Sequence, residues 1–221
     1  MIIIPENIIS HLVRGILDTV YSDTMSQPNK EDTILYGIFG DLKHERINYF
    51  EEAAKVFDRS NSNPNKITTR LSFNTNFENM PTVYITTGQD DHKFSAIGSY
   101  DGSDDKVSKD KLVSNSMYST MFSAETNIVI VTDGMEQMLI IYHVLRAMLL
   151  ATSDTLSLSG LQNPKFGGND ILLNDEMIPK NIFMRTISLK YEYELCVPAH
   201  IWKRGGFIKS ISTTGTPQNN G

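Results

Sequence analysis

Apolar residues in this chain recur at helical spacing, then at strand spacing, then at helical spacing again, and end in strict alternation. Ile8, Ile9, Leu12, Ile16 and Val20 form the first stripe. With Pro5 at a first-turn position and Glu6 beside the positive helix start, they predict a helix from Pro5 to Tyr21. Ser22, Asp23 and Gln27-Pro28-Asn29 are expected to stop it. The patch from Ile34 to Gly40 is too brief to assign. A second helix is predicted from Leu42 to Arg59, where Ile47, Phe50, Ala54 and Phe57 share a face, and the turn formers of "SNSNPNK" end it.

The period then changes to 2. Thr69 to Phe73 and Thr82 to Thr86 read as strands flanking "NTNFENMP". Residues 89–116 are polar and turn-rich, with a weak strand signal at Phe94 to Ile97. They are expected to form a protruding hairpin or loop, longer than a compact domain keeps without a use. "ETNIVIVTDGMEQMLIIYHVLRAML", residues 125–149, reads as strand, turn and helix. "SLSGLQNPKFGGNDILLNDEMIPKN" is expected to be a loop. From Thr186 to Val197 the alternation is complete: Ile187, Leu189, Tyr191, Tyr193, Leu195 and Val197 share one face, and polar residues and Cys196 share the other. One buried and one wet or partner-covered face is the mark of an antiparallel sheet covered on one side.

These elements make one α+β domain over residues 1–198, a mainly antiparallel sheet with helices on one face. Residues 30–62 read as a helical insertion, and 199–221 as a C-terminal arm whose last eight residues are expected to be disordered. At 221 residues with 40% hydrophobic content, the chain is long enough to need no disulfide or metal staple. Its formal charge of −6 gives no basic footprint for nucleic acid. One cysteine, Cys196, excludes an internal disulfide and fits a reducing environment. The longest apolar run, Met138 to Ala151, contains His143 and Arg146 and falls short of the roughly 20 residues that span a bilayer. A soluble protein without a signal peptide is expected.

Candidate chemistry is thin. Asp133-Gly134 sits where strand-end carboxylates often work, yet no glycine-rich phosphate pattern surrounds it, so Thr132 or Asp133 is expected to cap the following helix. The five histidines, His11, His44, His92, His143 and His200, have no zinc spacing. Asp90-Asp91-His92 and "DGSDD" lack the calcium-loop pattern and read as solvated turns. Glu192 and Glu194, about 7 Å apart on one strand face, read with Lys190 as an exposed charged stripe. No nucleophile elbow accompanies Cys196. No cofactor, metal or catalytic residue is expected.

The helix after Gly134 is apolar around most of its circumference, which requires cover on a second side. A neighbouring subunit is expected there, with Tyr142, His143 and Arg146 near the contact. Phe94 and Tyr100 in the loop, and Trp202, Arg204 and Phe207 in the arm, are further candidate interface residues. Trp202-Lys203-Arg204 is the one local basic cluster, better suited to gripping a protein than to reading DNA.

Stripped of the insertion, the element order is α-β-β-β-α-β. The stretch at 125–149 followed by "PKNIFMRTISLKYEYEL" resembles the tail terminator and neck (tail-completion, head-tail joining) proteins of tailed bacteriophages, over residues 5–21 and 67–197. Residues 30–62 depart from the minimal pattern. The resemblance implies a structural virion protein, not an enzyme, assembled in the bacterial host cytoplasm. It implies a homo-oligomeric ring, commonly hexameric, that terminates the tail and joins it to the head. Its partners would be other neck, tail-tube, sheath or connector proteins, with DNA passing through the lumen without specific binding and no membrane contact. A dimeric α+β ligand-binding or regulatory module, and a hydrolase using Asp133, are the alternatives.

Overall fold

The computed structural model describes residues 4–44, 47–58, 66–72, 80–94, 117–170 and 182–198. The fold is α+β. A five-stranded sheet runs in the order β3-β4-β5-β7-β6, with β3 (Thr68–Leu71), β4 (Thr82–Phe94), β5 (Met117–Thr132), β6 (Gln162–Asp170) and β7 (Phe183–Pro198). β3 lies parallel to β4, and the other pairings are antiparallel. α1 (Pro5–Ser26), α4 (Met135–Ala151) and α5 (Ser153–Leu158) pack on one face. That face carries Val83, Ile85, Ile128, Ile130, Ile187 and Leu189, all buried with the helix residues in one cluster.

α1 buries Ile9, Val13, Ile16, Leu17 and Val20, as the helical stripe predicts. It continues five residues past Tyr21, because Ser22 and Thr24 turn their hydroxyls onto the carbonyls of Asp18 and Val20 at 2.8 Å and do not break it. Tyr21 is the hinge pin of this corner. Its hydroxyl accepts from the Ile67 amide at 3.3 Å, and its ring lies 5.5 Å from that of Phe57.

The insertion differs from expectation. The apolar patch is a short helix, α2 (Ile34–Phe39), capped by the Thr33 hydroxyl on the Tyr36 amide and ended by Gly40 at φ 49°. Leu42 to His44, Ile47 and Asn48 are not helical. Lys43–His44 (β1) and Ile47–Asn48 (β2) form a small antiparallel hairpin, closed by the Tyr49 amide on the Leu42 carbonyl. Between Leu42 and Ile47 the sequence is wholly polar, so a helix there would bury no stripe. The helix begins only at α3 (Tyr49–Val56), and Ala53, not Ala54, is the alanine it buries. The Tyr36–Phe50 and Phe39–Tyr49 ring pairs tie α3 to α2.

The sheet is larger than the alternation suggests. β4 passes Thr86 and continues to Phe94, through a bulge at Gly88-Gln89 opposite Glu125. A Cβ on Gly88 would lie 2.9 Å from the Glu125 carbonyl, so the bulge needs glycine there. The bulge reverses the facing of the strand and turns Asp90 and His92 toward the helix side, until a second register shift between His92 and Phe94 reverses it again. Residues 89–94 are therefore strand, not loop, and 95–116 lie outside the described residues.

The expected loop before β7 contains β6, and α5 follows α4, so apart from the insertion the order is α-β-β-β-α-α-β-β. β6 shows no alternation because it is an edge strand built around constraints of its own. Pro164 sits in a register shift, with Asn163 at φ 51° beside it. Gly168 lies directly against the Tyr142 hydroxyl.

β7 alternates as expected, with Ile187, Leu189, Tyr191 and Tyr193 buried against the helices. Its other face is only half wet. Lys190 and Glu194 are exposed, but Thr186 and Ser188 are buried beside a second small cluster of Tyr84, Val129 and Val131.

Two glycines should respond oppositely to alanine. Gly168→Ala drives a methyl into the Tyr142 hydroxyl and should cost about 1–3 kcal/mol. Gly15→Ala, in α1 with nothing within 4 Å, should stabilise by up to about 1 kcal/mol. Thermal denaturation of the two variants checks the signs.

Candidate functional site

Asp133 is exposed, and it does not cap α4. The capping position is Gly134, in extended backbone, and no side chain caps the helix. The Thr132 hydroxyl donates to the Gly134 carbonyl at 2.7 Å, which tightens the turn without touching a helix amide. The expected cap is thus corrected: Gly134 occupies the capping position with no side chain to offer the helix amides, and Thr132 is spent on the turn itself.

α4 is buried at Met138, Ile140, Ile141, Tyr142, Val144, Leu145 and Leu149. Its second side is covered by this same chain, through α1, α2 and α3. Tyr142, with 1% exposure, therefore lies inside the subunit. The Arg185 guanidinium sits 4.1 Å over its ring, and Arg146 Nη1 donates to its hydroxyl at 3.3 Å. A neutral ring flanked by two guanidiniums, one on its face and one at its edge, holds both cations near α4 at little desolvation cost.

His143 and Arg146 lie on the outer side of α4 and are exposed. They line a groove of about 700 Å³ together with Leu139, Ala147 and Leu150 of the same helix. The opposite wall is Ile38, Phe39 and Leu42 at the end of α2, then Lys43, His44 and Tyr49. Leu42 and Leu150 remain 55% and 52% exposed at its margins. Sequence reasoning found His143 and Arg146 of this groove and missed its other polar residues and its apolar ones. The signal was present: positions 139, 143, 146, 147 and 150 are one face of a helix.

Other sequence candidates fall elsewhere. Phe94 ends β4, opposite Met121. Tyr100, Trp202, Arg204 and Phe207 lie outside the described residues. Asp90 and His92 belong to a strand and not to a solvated turn. Tyr193 donates to Asp90 at 3.2 Å, and His92 Nε2 meets the Thr120 hydroxyl at 2.8 Å while its ring lies 5.2 Å from Phe122. Burial, with Asp90 next in effect, pushes the Tyr193 hydroxyl up to about 12. Lys190 pairs with Glu125 at 3.5 Å, so the β7 charges do form a surface stripe.

Among the described residues, no three His, Cys, Asp or Glu side chains come together in a way that could hold a metal ion. Nor is any helix among them long and apolar enough to cross a membrane. No protein-family model matches the chain, and no curated protein matches it in sequence.

Although its outer edge is exposed, the His143 ring is partly desolvated against the groove wall, and that first, then the charges of Arg185 and Arg146, hold its imidazole below the usual histidine range. The unfolded chain therefore takes up a proton near pH 6.5 before the folded chain does. Stability present above that value falls as pH drops through it. The melting temperature should decline from about pH 7.5 to about pH 5.5, and the decline should be shallower in His143→Gln. Identical slopes in the two proteins would remove His143 as the cause.

Proposed function

We propose that this chain is a structural subunit of the neck of a tailed phage, forming a ring that terminates the tail and connects it to the head. The observation that carries the reading is a mismatch in length between sheet and helices. β5 and β7 pair along 16 residues each, from Met117↔Pro198 to Thr132↔Phe183. At about 3.3 Å per residue the pair runs about 53 Å, whereas α4 spans about 25 Å. α1 begins beside Thr87, whose hydroxyl donates to Glu6 at 3.0 Å. Beyond it β6 stays beside β7 as far as Glu192 and β4 beside β5 as far as Met121, and among the described residues β5 and β7 continue as a pair to Met117 and Pro198.

Such a projection is costly for a solitary domain to maintain and useful for one that must reach a neighbour. From Met121 inward both flanks of β5 are hydrogen-bonded, which stiffens the base of the projection. Tyr193 stacks on Phe122 with ring centres 5.6 Å apart, and Tyr191 bonds the Thr126 hydroxyl at 2.8 Å, so the side facing the helices is internally braced. The α+β order and the acidic balance of the chain also suit a ring through which DNA passes without adhering. The work is interfacial, and the partners are further copies and adjacent neck, tail-tube, sheath or connector proteins.

Light scattering coupled to gel filtration, followed by negative-stain imaging, tests this. The intact chain should form closed rings, alone or when mixed with its tail. Replacing residues 95–116 by an eight-residue Gly-Ser linker, long enough to span the roughly 14 Å from Phe94 to Met117, should leave the melting temperature essentially unchanged and abolish ring formation. Rings that persist in the shortened protein would remove the clasping role. A monomer or dimer at every concentration, even beside a tail, would overturn the reading.

A further inference from the structure

The groove between α2, the β1–β2 hairpin and α4 takes no part in that projection. Its α4 wall from Leu139 to Leu150 rises about 17 Å, three helical turns. Facing it are Phe39 and Leu42, so the floor is apolar and two helices form the sides. The polar groups on the described lining are Lys43, His44, His143, Arg146 and the Tyr49 hydroxyl, and no carboxylate is among them. In a chain of net charge −6 this is a local reversal of sign.

A groove of this length, apolar along its floor and basic at its rim, matches the way an amphipathic helix is received between two helices. We infer that it docks an acidic amphipathic helix of a partner protein. The apolar face of that helix lies on Leu139, Ala147 and Leu150, and its carboxylates meet Arg146 and Lys43. Arg146 is suited to this role, since its guanidinium is already steadied by the Tyr142 hydroxyl and loses little freedom on pairing. The chain's own C-terminal residues do not match the rim: 199–221 contain Lys203, Arg204 and Lys209 and no acidic residue.

This inference stands apart from ring assembly, which is read without added peptide. The test uses two synthetic helical peptides of about four turns with the same Leu and Phe anchors, one flanked by Glu and the other by Lys. Each is titrated into the isotope-labelled full chain while the methyl signals of Leu139, Ala147 and Leu150 are followed. The Glu peptide should move these signals, and the Lys peptide should bind roughly fivefold to tenfold more weakly, the effect of a few exposed ion pairs. Arg146→Glu should reverse that order, and Leu150→Asp should abolish both. Both positions are exposed, so the variants should retain the parent's circular dichroism. Equal or tighter binding of the Lys peptide, shifts confined to other surfaces, or no shift at any concentration would overturn the inference. So would tighter binding of dodecanoate than of the Glu peptide, which would make the occupant a small amphiphile. Movement of the same signals on concentrating the chain alone would make it a second copy.

Discussion

Water must be kept off α4 on nearly every side, and most of the architecture follows from that requirement. Ile140 and Val144 lie on a different side of the helix from Met138, Ile141, Tyr142, Leu145 and Leu149, so one sheet cannot cover them all. The sheet takes one side, α1 another, and the inserted helices α2 and α3 a third. Deleting any of these would uncover several aliphatic side chains, each worth about 1.5–3 kcal/mol of burial. The insertion is therefore part of the core. Its aromatic pairs, Tyr36–Phe50 and Phe39–Tyr49, keep it compact enough to serve as a lid on α4.

The same covering leaves a defined remainder. α2 and α3 reach only part of the outer face of α4, and the gap is the groove rimmed by His143 and Arg146. Tyr142 links this surface to the interior, because Arg146 holds its hydroxyl while Arg185 holds its ring face. The sheet's edges are meanwhile blunted. β6 carries Pro164 and a register shift, and β3 is only four residues long. Contact through faces and projecting strand ends is thus favoured over simple strand addition at an edge.

Legibility varied with what each segment buries. α1, β7 and the strand-turn-helix at 125–149 were readable because their burial is periodic and local. The hairpin strands Lys43–His44 and Ile47–Asn48 were misread as helix because Ile47 falls on the same helical stripe as Phe50. β6 was missed because Gly167 and Gly168 look like turn residues, when their small size lets Ser188 and Tyr142 approach. The extension of β4 was hidden by the Gly88 bulge, which reverses the inward face midway and so destroys the alternation. For the groove, His143 and Arg146 were visible, while Leu139, Ala147 and Leu150 were absorbed into a helix read as apolar nearly all round.

By itself the sequence determined the α+β class, the two principal helices, the inward face of β7 and the excess apolar surface of α4. Each follows from a repeat along the chain, and such a repeat is a local property. Only the tertiary structure decided what covers that surface. Tyr142 is buried because Gly168 and Arg185, 26 and 43 positions away, close over it. His143 and Arg146, its neighbours along the same helix, are left at a groove because α2 and the hairpin stop short of them. Which side of an apolar helix stays open depends on where distant elements end, and no periodicity records that.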